Sequence, residues 1–170
     1  MPIIVYLTLN QIKMKKTFFA VAFLATLLAQ QAFAQESPKT SNQSFLNSYY
    51  AIKDALVSSN PGMAAANAAE FVKTLNATND QTVKKETRAA LLNDAEIISQ
   101  SKDIKLQREK FISLSDNMVV LAKSSRLSAE PVYQQYCPMK KASWLSGNKA
   151  IKNPYYGSAM LTCGSIKETL

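Results

Sequence analysis

The sequence predicts a mainly α-helical domain: an antiparallel four-helix bundle with a short, irregular or hairpin-like β cap at its C-terminus. Three observations support this prediction. Apolar residues recur three or four positions apart in four successive stretches, which is the period of one helix face. The connections between these stretches are short, as expected between antiparallel neighbours. Beyond Ser128 the composition changes, and no long helical stripe follows.

Residues 1–34 have the pattern of a secretory signal peptide and are excluded from the predicted fold. Lysines between positions 13 and 16 precede an uncharged apolar run, and Ala32-Phe33-Ala34 supplies the small residues that signal peptidase recognises. The apolar run is shorter than the roughly 20 residues needed to cross a bilayer, so no stable membrane anchor is expected. Met14 fits the start of such a leader better than Met1, which makes residues 1–13 an upstream mis-start. We therefore expect cleavage after Ala34 and a periplasmic mature chain.

The mature chain is expected to contain a flexible tail, residues 35–43, and a single domain, residues 44–170. Residues 44–126 would form the helices and residues 127–170 the cap. Asn60-Pro61 predicts the boundary between the first two helices, because Asn is a favoured N-cap and Pro a favoured first helical residue. Asp80 is the predicted cap of the third helix, and Asp103 is expected to mark either the cap of a fourth helix or a kink. The apolar residues expected to face the core are Phe45, Tyr49, Ile52, Leu56, Met63, Ala64, Ala68, Phe71, Leu75, Val83, Ala90, Leu91, Ala95, Ile98, Ile104, Phe111, Leu114, Met118 and Leu121.

The cap is predicted from aromatic and β-branched residues punctuated by Gly and Pro. Residues 131–136 and 159–163 are the two expected strands. This segment holds both cysteines, the only tryptophan and four of the seven tyrosines. The chemistry of the chain is therefore expected in the cap and not in the helices.

Charge and composition narrow the function classes. The chain has 20 basic and 12 acidic residues, and the basic ones are scattered, which favours a solvated surface over a nucleic-acid stripe. It contains no histidine, which removes the commonest general base and excludes imidazole metal ligands. Neither cysteine has a C-x-x-C partner. We therefore predict that the protein is not an enzyme.

Two short segments concentrate soft sulfur atoms. One carries Cys137 and Met139, and the other carries Met160 and Cys163. If the segments pair, two thiols and two thioethers would share one site, and such donors select Cu(I) over harder ions. The side chains expected around these ligands are Tyr136, Trp144 and Tyr155.

A Cys137–Cys163 disulfide is the alternative, and composition alone favours it, since two cysteines in an exported protein commonly pair. In the chain-entropy model, a disulfide that closes the loop between Cys137 and Cys163 stabilises the fold by about 3.5 kcal/mol. On this alternative the protein is a non-catalytic module that contacts another envelope protein.

Several motifs resemble one bacterial family. They are Asp103-Ile104, Gln107-Arg108, Phe111, Leu114-Ser115, Tyr136-Cys137-Pro138-Met139, Trp144-Leu145-Ser146, Asn153-Pro154-Tyr155-Tyr156-Gly157 and Met160-Leu161-Thr162-Cys163-Gly164. From about Phe45 to its end, the chain resembles the DUF3347 family of exported proteins of unknown function. Members also occur fused to periplasmic adaptors of heavy-metal efflux pumps.

The resemblance implies copper or another soft metal as the ligand, with an efflux-pump component as the partner. It fits Cys137, Met139, Met160 and Cys163 as the metal ligands. The Cys-Pro-Met triplet also resembles that of small heavy-metal-binding modules. Those modules usually continue with His and further Cys, which this chain lacks, so a four-ligand Zn site is not expected.

Overall fold

The computed structural model describes residues 38–79 and 81–170, and over them the protein is mainly α-helical, as predicted. The predicted signal peptide and the proposed Asp80 cap lie outside the described residues. Four helices follow one another: α1 Pro38–Val57, α2 Pro61–Asn76, α3 Lys85–Gln100 and α4 Ile104–Ser124. None of these described helices combines the length and apolarity needed to span a membrane.

The helix ends follow local capping chemistry. The Asn60 side chain accepts a hydrogen bond from the Met63 amide at 2.9 Å, and Pro61 is the first residue of α2. Asp103 caps α4 by accepting from the Lys105 amide at 2.8 Å. Both predicted caps are confirmed. Helix α1 differs from the prediction, because it begins at Pro38 and so includes most of the expected flexible tail.

Each helix packs against the next one in sequence, and their apolar faces form the core. The Tyr49 ring of α1 stacks on Phe111 of α4 at 5.2 Å between centroids, and Phe45 meets Phe71 of α2 edge-on. The prediction for Met63 is wrong, since 52% of this residue is exposed. The buried stripe of α2 runs through Ala64, and Met63 is rotated away from it by one position, about 100°.

A three-stranded antiparallel sheet follows α4. Its strands are β1 Tyr133–Cys137, β2 Ala142–Ser146 and β3 Ser165–Thr169, in the order β2-β1-β3. All five residues of β2 are buried, and this strand packs on α4. Strand β3 lies at the other edge with all five residues exposed.

The predicted strand over residues 159–163 is wrong. Gly157–Met160 is a 3₁₀-helix, and a turn follows it before Cys163. The partner of β1 in the hairpin is instead β2, which the sequence analysis did not identify. Lys141 adopts a positive φ of 56° in the connecting turn, a conformation that non-glycine residues rarely take. The cap is therefore a small sheet with an irregular segment between β2 and β3.

Tyr49 and Arg108 make polar contacts that attach the cap to the helices. The Tyr49 hydroxyl lies 2.8 Å from Ser115 Oγ and accepts a hydrogen bond from the Leu145 amide of β2 at 3.1 Å. Arg108 of α4 donates from Nε to the Pro154 carbonyl at 3.0 Å and from Nη2 to the Leu56 carbonyl at 2.9 Å. These contacts hold both β2 and the irregular segment against the helices.

Candidate metal centre

The fold brings the two cysteines together. Cys137 ends β1, and Cys163 lies just before β3, yet their Sγ atoms are 3.6 Å apart and both thiols are free. The pairing of Tyr136 with Ser165 places the end of β1 beside the start of β3. The expectation that the two cysteine-bearing segments fold against each other is thus fulfilled for their thiols, although the second segment is not a strand.

Gly164 permits this close approach. Its φ is +152°, and a Cβ atom at this position would lie 2.9 Å from the Tyr136 carbonyl oxygen and 3.0 Å from Trp144 Cη2. A side chain would therefore collide with backbone and with a buried ring. Only glycine allows the chain to pass under β1 immediately after Cys163.

The Sγ–Sγ distance fits two thiolates on one ion. With metal–sulfur bonds of about 2.3 Å and tetrahedral angles, two ligating sulfur atoms lie about 3.8 Å apart. A disulfide requires about 2.0 Å, so the sulfur atoms would have to move about 1.5 Å closer. The observed 3.6 Å is therefore close to the separation of a ligand pair and about 1.5 Å longer than a disulfide bond.

Asn153 holds the Cys163 backbone and was not identified as a site residue from the sequence. It is fully buried, and its Nδ2 donates to the Cys163 carbonyl at 2.8 Å. Its side chain also contributes to the lowered pKa of the Cys137 thiol. Its Oδ1 accepts from the Tyr155 amide at 2.9 Å, so every polar atom of the amide group is used. Two sequence signals included it: the Asn153-Pro154 pair, which is typical of a turn, and the Asn153–Gly157 motif that resembles the family.

Hydrogen bonds make the two thiols unequal. Burial opposes ionisation of Cys137, but donors from the Lys140 amide, Asn153, the Cys163 thiol and the Met139 amide outweigh it and lower the pKa of Cys137. The Lys140 amide lies 3.4 Å from Cys137 Sγ. The pKa of Cys163 is raised, first by its hydrogen bond to Cys137, then by burial and by the charge on Cys137. Cys137 therefore ionises first and carries the soft thiolate of the pair.

The two predicted thioether ligands have their backbones beside the thiols. The Met139 backbone amide contributes to lowering the pKa of each thiol, and the Met139 residue is 64% exposed. Met160 ends the 3₁₀-helix, is partly buried, and accepts a hydrogen bond from the Cys163 amide at 3.1 Å. Coordination by the thioether sulfurs stays a prediction.

The three aromatic residues expected around the ligands take different places. Trp144 is fully buried, and its ring meets Tyr155 edge-on at 5.8 Å. The Tyr155 hydroxyl donates a hydrogen bond to the Ser143 carbonyl of β2, and burial raises the pKa of Tyr155 well above its usual value. Tyr136 alternates with Cys137 along β1, and its ring instead receives the Lys167 ammonium at 5.3 Å.

Within residues 38–79 and 81–170 there is no group of three or more His, Cys, Asp or Glu side chains arranged to hold a metal ion. Any ion held at Cys137 and Cys163 would take its remaining ligands from thioethers, backbone or solvent.

Comparison with known proteins identifies one family. The model of DUF3347, described as a protein of unknown function, matches residues 45–130. Neither the curated proteins nor the solved structures contain a significant match. The matched range extends through α1 to α4 and ends before β1, so the resemblance noted for the cysteine-bearing motifs lies beyond it. The matched residues make up about half of the chain, and by this match the chain belongs to the DUF3347 family.

Proposed function

We propose that this protein is an exported periplasmic protein that binds a soft metal ion, with Cu(I) as the expected ion, and that it serves as a chaperone or accessory in heavy-metal efflux. The observation that carries the proposal is the pair of free thiols at Cys137 and Cys163, whose Sγ atoms are 3.6 Å apart. That separation suits two sulfur ligands on one ion without rearrangement of the backbone.

The donor chemistry supports a soft ion over a hard one. Thiolates and thioethers select Cu(I), which needs only two to four such ligands. The chain has no histidine, and the described residues contain no cluster of carboxylates with the cysteines. Hydrogen bonds to Cys137 stabilise its thiolate, which is the form that binds a metal ion. Met139 and Met160, whose backbones lie beside the thiols, are the proposed thioether ligands.

Export and the efflux partner are proposed from the sequence. The signal-peptide pattern of residues 1–34 supports the periplasm, and the family's fusions to efflux adaptors support a pump component as the partner. We further propose that the four helices close as an antiparallel bundle that serves as a rigid support for the cap. The Arg108 and Tyr49 contacts would transmit that rigidity to the thiol pair.

A competitive Cu(I) titration of the fully reduced protein tests the proposal. We expect one tightly bound equivalent, lost when Cys137 or Cys163 is replaced by Ser. Replacing Met139 and Met160 together by Ala should weaken binding, by about tenfold or more if either is a ligand. Met63→Ala is the matched control, because Met63 is an exposed methionine on α2 outside the site. Failure of the reduced wild-type protein to compete for Cu(I) would refute metal binding.

The second candidate function is a non-catalytic interaction module held by a Cys137–Cys163 disulfide. The same 3.6 Å separation favours it, because closure needs no long movement. Intact-mass analysis of protein purified from its own compartment, with and without reductant, discriminates the two functions. A bridge that persists under mild reductant in the folded protein favours the interaction module, and free thiols favour the metal site.

A further inference from the structure

We propose that Cys137 and Cys163 form a reversible thiol–disulfide couple in which an outside thiol exchanges at Cys163, while Cys137 acts as the internal attacking and leaving sulfur. The inference concerns the regulation of the same site as the proposed function, and only its consequence for metal release rests on that function. The co-reactant is a low-molecular-weight or protein disulfide, R–S–S–R, in one direction and the corresponding thiol in the other.

The reaction has two balanced steps. In the first, the accessible Cys163 thiol loses its proton to solvent, and its sulfur attacks R–S–S–R, forms a mixed disulfide and releases one R–S⁻. In the second, the Cys137 thiolate attacks Cys163 Sγ, which lies 3.6 Å away, closes the internal disulfide and releases the second R–S⁻. The two cysteines lose two electrons to R–S–S–R, and their two protons end on the two R–SH products. Reduction by a thiol is the reverse of both steps.

Solvent exposure makes Cys163 the sulfur that reacts with an outside thiol or disulfide. Cys137 is fully buried, whereas Cys163 is partly exposed. The residues before Cys163, Leu161 and Thr162, are also exposed, so the approach to this sulfur is open. An attacking thiolate must approach along the axis of the disulfide, and a buried sulfur does not admit it.

A backbone hydrogen bond selects Cys137 as the leaving sulfur. The Lys140 amide donates to Cys137 Sγ at 3.4 Å. This donor belongs to the folded backbone and is in place before the bond breaks. A leaving thiolate that is already stabilised departs faster, so attack at Cys163 with release of Cys137 is the favoured direction.

Closure would control the proposed metal site. Disulfide formation removes two electrons and the negative charges of both thiolates, and thiolates, not disulfides, are the metal ligands. Oxidation would therefore release the ion, and thiol exchange at the accessible sulfur would restore binding. This behaviour would link metal loading to the redox state of the compartment.

Trapping the mixed disulfide in the wild-type protein tests the proposal without a metal or a mutation. The oxidised protein is mixed with excess glutathione, quenched with acid at short times and digested with trypsin. Trypsin places the two cysteines on separate peptides, residues 127–140 and 153–167. We expect about tenfold or more glutathione on Cys163 than on Cys137 in the folded protein, and comparable amounts when exchange is run in denaturant.

Single-cysteine variants provide the second measurement. With glutathione disulfide, folded Cys137→Ser should form the mixed disulfide, whereas Cys163→Ser should react about tenfold or more slowly. Equal modification of the two cysteines in the folded wild-type protein, or faster reaction at Cys137, would overturn the proposal. These results are independent of Cu(I) binding, so failure of the titration and failure of the exchange reaction are distinguishable.

Discussion

Gly157 is the position at which one added methyl group should loosen the attachment of the cap. This residue begins the 3₁₀-helix with a φ of +57°. A Cβ atom there would lie 2.6 Å from Arg108 Nη2, 2.7 Å from Ser59 Oγ and 3.0 Å from the Val57 carbonyl oxygen. Arg108 Nη2 is the atom that donates to the Leu56 carbonyl, so Gly157→Ala should displace the guanidinium from its partners.

The expected cost has two parts. Forcing Ala into the left-handed region costs about 1–2 kcal/mol. Loss of the Arg108 hydrogen bonds to Leu56 and Ser59 adds about 1–2 kcal/mol, at the low end for a charged donor because Arg108 is only partly buried. We expect Gly157→Ala to lower the free energy of unfolding by about 3 kcal/mol.

Urea unfolding of the reduced protein measures this cost, with Gly62→Ala as the matched control. Gly62 lies in the first turn of α2, and the nearest atom to an added Cβ is Asn60 Oδ1 at 3.5 Å. That substitution should be neutral or stabilise by about 0.4–1 kcal/mol. Arg108→Ala should be markedly less costly in the Gly157→Ala background than alone. Equal unfolding free energies for Gly157→Ala and Gly62→Ala would refute this explanation. Full additivity of the energies lost in Gly157→Ala and Arg108→Ala would refute it as well.

Three further predictions concern the cap and its thiols. Tyr49→Phe leaves the buried Leu145 amide without an acceptor and should lower the free energy of unfolding by about 1–3 kcal/mol in a denaturant titration. Asn153→Ala in a Cys163→Ser background should raise the pKa of Cys137, because the Asn153 side chain helps to lower that pKa. The pKa is measured from the absorbance of the thiolate, and an unchanged value would contradict this role of Asn153. The pKa of Cys137 is lowered in the folded protein, so its ionisation stabilises the fold. The free energy of unfolding of Cys163→Ser should therefore rise as the pH increases from below the folded pKa of Cys137 to the ordinary thiol range, and fall as the pH decreases. A pH profile of the unfolding free energy as flat as that of the variant lacking both cysteines would contradict this prediction.

The helical part of the fold could be predicted because its information is local. Asn60, Pro61 and Asp103 act on their own helix ends, and the structure confirms both caps. Spacing of three and four residues places Phe45 and Tyr49 on one face whatever they pack against. Met63 was assigned wrongly because the period leaves about one position of uncertainty at the edge of a stripe.

The sheet was predicted less well, since its strands depend on distant partners. Strand β2 is buried throughout and β3 is exposed throughout, so neither shows the alternation by which a strand is identified in a sequence. The expected strand over residues 159–163 has the right composition, yet it forms a 3₁₀-helix and a turn, because Gly157 and Asn153 bend the chain there.

The sequence alone determined the available chemistry: two thiols, methionines near each of them, no imidazole, and helices with definite ends. Only the tertiary structure decided that Cys137 and Cys163 meet at 3.6 Å, that one is buried and the other partly exposed, and that Asn153 donates to the Cys163 carbonyl. The physical reason is distance along the chain. The two cysteines are 26 positions apart, and they are brought together by strand pairing and by the close approach of Gly164 to the Tyr136 carbonyl and the Trp144 ring. Gly164 is adjacent to Cys163 in the sequence, but the partners that it approaches are distant along the chain and are set by the fold.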